Sequence, residues 1–140
     1  MKTNSRFAFA VHILTMLAIS DSKRMPSDFI AESAKTNPVI IRRVMLLLEK
    51  AGLITSQTGA RGGAMLICKP KDITLLDVYN AVENVSIFSL HPNMPNPKCP
   101  VGKNIQNLLS DVFIKAELAM KEVLEAATIE QIKLAITKKT

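Results

Sequence analysis

The segment between Asn37 and Gly52 has the periodicity and the ends of an amphipathic helix. Its apolar residues recur three and four positions apart, which places them on one side of a helix: Ile41, Val44, Met45 and Leu48. Asn37 is a preferred N-cap residue, and Pro38 suits the first helical position because the N–H that it lacks has no partner there. Gly52 suits the left-handed residue that often ends a helix. We therefore predict one helix between these residues.

The opposite side of this helix is predicted to be mainly polar and basic. It carries Arg42, Arg43, Leu46 and Lys50. A recognition helix presents its N-terminal end to base edges in the major groove. Arginine pairs bidentately with guanine or clamps a phosphate. Taken alone, the two arginines fit the solvated face of an ordinary helix better than a DNA contact.

A predicted β-hairpin follows the arginine helix and strengthens the case that the two arginines contact DNA. Leu53–Gln57 and Ala64–Cys68 form its two short strands, and the connection contains glycines that permit positive φ: Gly59, Gly62 and Gly63. Arg61 is the only charged residue of the connection. Such a tip suits a minor groove or a row of phosphates, although a plain turn is the alternative. Helix, arginine pair and hairpin together outline a recognition helix followed by a wing.

The chain before the arginine helix completes this outline. We predict a first helix over residues 6–19, capped by Asn4 or Ser5, and a second helix that begins at residue 26 or 27 and ends at residue 34. Three residues of the second helix are expected to face the core: Phe29, Ile30 and Ala34. Lys35–Thr36 form a tight turn into the third helix. Two helices joined by such a turn and followed by a hairpin give a winged helix-turn-helix.

The chain after the hairpin begins with another helix and then becomes irregular. Thr74 and Asp77 resemble a capping box, which opens a helix that continues to about Asn84. Residues 85–103 contain four prolines, at 92, 95, 97 and 100, and we predict a loop of functional length there.

A long helix is predicted over residues 104–127, which contain neither proline nor glycine. Its apolar residues follow a heptad seam: Ile105, Leu109, Val112, Ala116, Ala119, Val123 and Ala126. A helix of this length spans about 36 Å and overhangs a small winged domain, so a homodimer seam is favoured over packing on the chain's own core. Thr128 begins a short last helix.

The charge is concentrated in the half of the chain that contains the arginine helix and the hairpin. The net charge is +6 overall, and residues 1–71 hold 11 Lys and Arg against 4 Asp and Glu. This distribution favours an acidic partner. Two distant cysteines do not form a disulfide framework, and neither a signal peptide nor a membrane span is evident. We expect a cytoplasmic protein that is not an enzyme, because no catalytic constellation is present.

Four segments carry a resemblance to a known family: FAFAVHILTMLA, IAESAKTNPVIIRRV, LLEKAGLITSQTGARGGAML and DITLLDVYNAVEN. Together they resemble the Rrf2 family of bacterial transcriptional regulators, which includes the IscR, NsrR and CymR types, and the resemblance covers almost the whole chain. It implies a dimeric winged-helix protein in which the long helix builds the dimer. It also implies that the third helix and the wing engage double-stranded DNA.

The resemblance assigns DNA contacts by position. Arg42 and Arg43 fall on the third helix at the major groove, and Thr36 and Asn37 fall on the turn before it. Arg61, with Gly59 and Gly62, falls on the wing at the minor groove. Ser5 and Arg6 fall at the start of the first helix, near a phosphate. The chain departs from the usual wing pattern at two positions, with Thr58 in place of an arginine and Ala64 in place of an aromatic residue.

The proline-rich loop also departs from part of the family. Iron–sulfur members place three cysteines there, whereas this chain has only Cys99, so no cluster and no metal are expected. Cys99 is a candidate redox or electrophile sensor if Lys98 or Lys103 lowers the pKa of its thiol. The alternative is that it packs or caps the start of the long helix. His91 offers a second ligand, which leaves a metal site incomplete.

The sequence therefore predicts a mainly α protein with a small β-hairpin. Residues 1–84 form a winged helix-turn-helix domain, residues 85–103 a variable loop with a candidate sensor, and residues 104–140 a dimerisation helix and a C-terminal helix. The predicted function is that of a homodimeric repressor that binds a pseudo-palindromic operator and responds to a thiol-based or small-molecule signal. The alternative is a winged-helix module that binds protein through Leu46 and Leu47 without operator binding.

Overall fold

The computed structural model describes residues 5–21, 23–83 and 86–139 and contains helices and one hairpin. In chain order the elements are α1 (Arg6–Ser20), α2 (Ser27–Ala34), α3 (Pro38–Lys50), β1 (Ile54–Gln57), β2 (Gly63–Leu66), a 3₁₀ turn (Pro70–Asp72), α4 (Leu75–Val82), α5 (Pro100–Glu125) and α6 (Ile129–Lys139). The predicted fold, mainly α with a small β-hairpin, is confirmed. The chain divides into a larger unit, Met1–Asn84 with Glu125–Thr140, and a smaller unit, Val85–Leu124.

The core of the larger unit is built around α1, which packs against α2, α3, α4, α6 and β2. The buried apolar residues of α1 recur at helical spacing: Ala10, Ile13, Leu14, Leu17 and Ala18. Burying one large aliphatic side chain of this kind contributes about 1.5–3 kcal/mol. His12 lies beside this face, where its Nε2 is 2.9 Å from the Ser33 hydroxyl of α2. The sequence offered Asn4 or Ser5 as the cap of α1; Ser5 occupies the cap position without a side-chain hydrogen bond, and Asn4 lies outside the described residues.

The face of α2 differs from the prediction. Phe29 is 56% exposed, whereas Ile30 and Ala31 are buried and Ala34 is half-buried. Successive residues of a helix point in directions about 100° apart, so the setting of α2 that buries Ile30 and Ala31 turns Phe29 toward solvent. The expectation that Phe29 faces the core was therefore wrong.

Two capping boxes fix the last helices of the larger unit. The Thr74 hydroxyl accepts a hydrogen bond from the Asp77 N–H, and the Asp77 carboxylate accepts one from the Thr74 N–H, both at 3.0 Å. The helix that they open ends at Val82, and Asn84, the predicted end, lies outside the described residues. Thr128 and Gln131 cap α6 in the same way.

The C-terminal helix belongs to the larger unit, although the sequence grouped it with the dimerisation helix. The first residue of α6, Ile129, is fully buried, and its N–H donates to the Ile73 carbonyl at 3.0 Å. Helix α6 packs on α1.

The long helix of the smaller unit begins at Pro100, four residues before the predicted start, and ends at Glu125. Proline at the first turn removes no helical hydrogen bond, so the last of the four loop prolines starts the helix instead of preventing it. A Cβ on Gly102 would lie 2.3 Å from the Asn96 carbonyl oxygen, so this helix start requires glycine. Before the helix, Phe88 stacks on Phe113 with ring centroids 4.9 Å apart. In the ranges that the structure describes, no helix has both the length and the apolar character needed to cross a membrane.

Candidate nucleic-acid interface

Helix α3 is held in one rotational setting, and this setting exposes its arginines. The Asn37 side-chain oxygen accepts a hydrogen bond from the Val39 N–H at 2.8 Å, as expected of an N-cap. The predicted apolar stripe is buried: Ile41, Val44, Met45 and Leu48. Because these side chains fix the helix on the core, Arg42 and Arg43 are on the exposed side, as predicted. Gly52 has the expected positive φ, +78°.

Arg42 is oriented by the first turn of α2. Its Nη1 lies 3.4 Å from the Ser27 hydroxyl and 3.6 Å from the nearer carboxylate oxygen of Asp28. The side chains of Arg42 and Asp28 are 54% and 80% exposed, so solvent screens the pair and its contribution to stability is small. The contact biases the direction of the guanidinium and leaves it accessible.

The hairpin after α3 is a short two-stranded ribbon, called the wing below. Four residue pairs join its strands, from Ile54↔Leu66 to Gln57↔Gly63, so residues 58–62 form the wing tip. Arg61 is exposed in the wing tip. The Gly62 N–H donates to the Gly59 carbonyl at 3.0 Å and closes the turn.

The wing glycines serve two different purposes. Gly59 and Gly63 have the positive φ that glycine permits, +103° and +128°. Gly62 does not have a positive φ. A Cβ on Gly62 would instead lie 2.2 Å from the Gln57 carbonyl oxygen, so glycine is needed there for the close approach of two backbones.

A groove of about 490 Å³ lies between α3 and the wing. Arg42, Met45 and Leu46 line it from α3, and residues 56–60, 62 and 63 line it from the wing. Three of the predicted DNA-binding residues, Arg42, Gly59 and Gly62, therefore share one concave surface, and Arg42 gives this surface a positive charge.

The remaining predicted contacts are more constrained than the sequence indicated. Arg6 forms an ion pair with Glu83 at 3.2 Å, and the side chain of Glu83 is only 15% exposed. Thr36 donates its N–H to the Ala31 carbonyl at 3.0 Å, which closes the turn between α2 and α3. Leu46 is 57% exposed, but Leu47 packs against the core, so the two do not form the joint protein-binding contact of the alternative prediction.

Two polar residues near the groove were missed by the sequence analysis. Arg24 donates from Nη1 to the Gly63 carbonyl at 3.1 Å, and Asp28 pairs with Arg42. The members of each pair are 39 and 14 residues apart in the chain, so no local pattern reveals either contact. The only sequence signal is that residues 24–28 immediately precede or begin the second helix of a predicted helix-turn-helix.

Cys99 lies in the smaller unit, immediately before α5, and is exposed. Main-chain hydrogen bonds from Gly102 and, second, from Val101 lower the pKa of its thiol below the ordinary value. The sequence offered Lys98 and Lys103 as candidates for such an effect, whereas the groups that lower this pKa are the amides at the start of the helix. His91 is also exposed, and its carbonyl oxygen lies 3.5 Å from the Gln106 side-chain nitrogen.

Iron–sulfur clusters are held by several thiolates, and this chain has two cysteines. Across residues 5–21, 23–83 and 86–139, no three His, Cys, Asp or Glu side chains come together as metal ligands.

A helix-turn-helix followed by a β-hairpin defines the class of winged-helix DNA-binding proteins. The profile of the Rrf2 family, described as "Iron-dependent Transcriptional regulator", matches residues 3–133. The chain belongs to the Rrf2 family, which confirms the resemblance seen in the sequence. It is a helix-turn-helix type transcriptional regulator by this membership.

Individual relatives agree with this assignment. The chain is 44% identical over 130 residues to YwnA of Bacillus subtilis, which is assigned to the HTH-type transcriptional regulators; the match covers 92% of this chain and 95% of YwnA. A crystal structure of a protein described as DNA-binding is 41% identical, covers 91% of this chain and 98% of its own, and superposes with a TM-score of 0.74. CymR, the global cysteine regulator of B. subtilis, has the same fold with a TM-score of 0.71 at 23% identity, over 96% of this chain and 98% of CymR.

Proposed function

We propose that this Rrf2-family protein is a homodimeric repressor that reads a pseudo-palindromic operator with α3 and the wing. The observation that carries the proposal is the groove between these two elements, with Arg42 at one side and the wing tip at the other. In the proposed complex, α3 enters the major groove, Arg42 and Arg43 contact base edges or phosphates, and Arg61 reaches the minor groove. Thr36, Asn37, Ser5 and Arg6 contribute at the DNA backbone.

The exposed apolar residues of α5 support the homodimer. No residue of this helix is buried, and six large aliphatic residues on it are 55–71% exposed: Val101, Leu108, Val112, Ile114, Leu118 and Val123. At 100° per residue, Leu108, Val112 and Val123 lie on one side of the helix, whereas Ile114 and Leu118 lie on another. An exposed apolar face such as the one that contains Leu108, Val112 and Val123 marks an interaction site. A second copy would cover it and place two recognition helices on successive turns of DNA, about 34 Å apart or a multiple of this.

We propose further that the signal is read in the smaller unit, at Cys99. The thiol is exposed, and its lowered pKa gives more thiolate near neutral pH, which is the form that reacts with oxidants and electrophiles. A small molecule that binds beside this loop is the alternative signal.

The proposed function is tested by selecting DNA from a random pool with the purified protein. The expected result is one enriched motif with two-fold symmetry, whose affinity falls steeply with salt because bound arginines and lysines release counterions. Selection under oxidant and under reductant addresses the signal. Absence of an enriched motif would contradict operator binding and leave protein binding through Leu46 as the alternative.

A further inference from the structure

The base of the wing is joined to the loop between α1 and α2. Met25 and Ala64 exchange both main-chain hydrogen bonds, at 2.9 and 2.8 Å, as an isolated antiparallel bridge. A Cβ on Gly63 would lie 2.5 Å from the Met25 carbonyl carbon, so the two backbones are in direct contact. The hairpin therefore gains a third, one-residue strand at this point.

The side chain of Arg24 reinforces the same junction. Its Nη1 donates to the Gly63 carbonyl at 3.1 Å, and this hydrogen bond is partly buried. A guanidinium donor makes a stronger hydrogen bond than a neutral one. Gly63 therefore receives a side-chain contact from Arg24 and a main-chain packing contact from Met25.

The contacts of Gly63 with Arg24 and Met25 matter because Gly63 lies where the wing tip leaves the strand ladder. Gln57↔Gly63 is the last pair of the ladder, and Arg61 lies only two residues further into the wing tip. A two-stranded ribbon by itself is marginally stable in water. The direction in which Arg61 leaves the ladder thus depends on how firmly Gly63 is held.

We infer that Arg24 is a positioning residue for the wing: by holding the Gly63 carbonyl it orders the wing base and limits the orientations open to Arg61. Ordering a mobile loop on binding costs free energy, and a loop that is already ordered binds its target more tightly for that reason. Arg24 acts in this way without a DNA contact of its own. The consequence for DNA affinity rests on the proposed function, whereas the ordering of the wing base does not.

The first test measures amide hydrogen exchange by NMR in the DNA-free protein. Arg24→Met removes the donors and keeps an unbranched apolar stem, while Lys23→Met removes an exposed neighbouring charge as the matched control. We expect the Ala64 amide to exchange about fivefold to tenfold faster in Arg24→Met, with the Val44 amide of α3 unchanged and Lys23→Met like wild type. Unchanged exchange at Ala64, or equal acceleration at Val44, would overturn the inference.

The second test measures affinity for the selected operator in a double-mutant cycle with Arg61→Ala. We expect Arg24→Met to weaken binding about fivefold when Arg61 is present and less than twofold when it is absent, because the loss passes through the wing tip. An equal loss in both backgrounds would mean that Arg24 meets a phosphate directly, and it would overturn the positioning role. If the wild type binds no specific DNA, the proposed function fails, and the exchange measurement still decides whether Arg24 orders the wing.

Discussion

Arg42 on α3 and Asp28 on α2 form an exposed ion pair, with Nη1 and Oδ1 3.6 Å apart. The same guanidinium nitrogen lies 3.4 Å from the hydroxyl of Ser27. A cation held in this way is already partly oriented in the free protein, and the carboxylate beside it would disfavour the approach of a phosphate at that spot.

Asp28→Asn is therefore expected to loosen the discrimination between operator sequences. Removing the carboxylate frees Arg42 and takes away a negative charge, so affinity for non-specific DNA should rise while specific affinity changes little. An exposed pair of this kind is worth about 0.2–1 kcal/mol, which corresponds to a loss of about 1.4-fold to fivefold in the ratio of specific to non-specific affinity. The ratio is measured by titrating the selected operator and a scrambled duplex at equal salt.

The matched control for Asp28→Asn is Glu32→Gln, which neutralises another exposed carboxylate on the same helix. If the control changes the ratio as much as Asp28→Asn does, the effect comes from net charge and the orientation of Arg42 plays no part. A thermal melt of each variant separates these effects from helix stability, because Asp28 also lies in the first turn of α2, where a negative charge is favourable.

Arg42→Ala and Arg61→Ala are each expected to weaken operator binding by about 1–3 kcal/mol, the usual cost of losing an arginine that reads a base. Lys50→Ala removes an exposed cation from the opposite end of the same helix and should have a smaller effect. Binding is measured by fluorescence anisotropy and dimer content by sedimentation. Wild-type affinity in both arginine variants would exclude these residues as DNA contacts.

Val112→Glu is expected to dissociate the proposed homodimer, since it places a charge in the heptad seam of α5, where Val112 is 60% exposed in the single chain. Lys115→Glu changes a neighbouring exposed residue outside the seam and should leave the association unchanged. Sedimentation equilibrium distinguishes the two. A Val112→Glu variant that sediments like wild type would show that this seam does not hold two copies together.

Gly63→Ala is expected to destabilise the larger unit more than Gly59→Ala. Both glycines have positive φ, so each alanine pays a conformational cost of order 1–3 kcal/mol. Only at residue 63 does the new methyl group also meet backbone, 2.5 Å from Met25, whereas nothing lies within 4 Å of a Cβ at residue 59. Denaturant unfolding gives the difference between them, and equal midpoints would contradict the close contact at the wing base.

The thiol of Cys99 is expected to react with iodoacetamide faster at neutral pH than an ordinary cysteine does. Main-chain hydrogen bonds from Gly102 and Val101 favour its charged form, so its thiolate fraction rises at a lower pH. Plotting the alkylation rate of Cys68→Ser protein against pH should therefore give a midpoint below the ordinary thiol pKa. Cys99→Ser should then make operator binding insensitive to oxidant, and an oxidant response that persists in this variant would place the signal elsewhere.

The local elements of this protein follow from its sequence, because their determinants are neighbours in the chain. Asn37, Pro38 and Gly52 delimit α3, and Thr74 with Asp77 begins α4, as predicted. The apolar stripe of α3 was enough to identify its exposed arginines, since helical periodicity relates residues only three or four positions apart.

Only the tertiary structure decided which side chains act together across the fold. The contacts of Arg24 with Gly63, Asp28 with Arg42 and Arg6 with Glu83 join residues that are far apart in sequence, and they depend on how helices are rotated and packed. Packing also turned Phe29 outward and brought the backbone at Gly62 against that of Gln57. The sequence by itself thus determined the helices, the hairpin and the family, whereas the orientation of the wing and of Arg42 was decided by long-range contacts that no local pattern encodes.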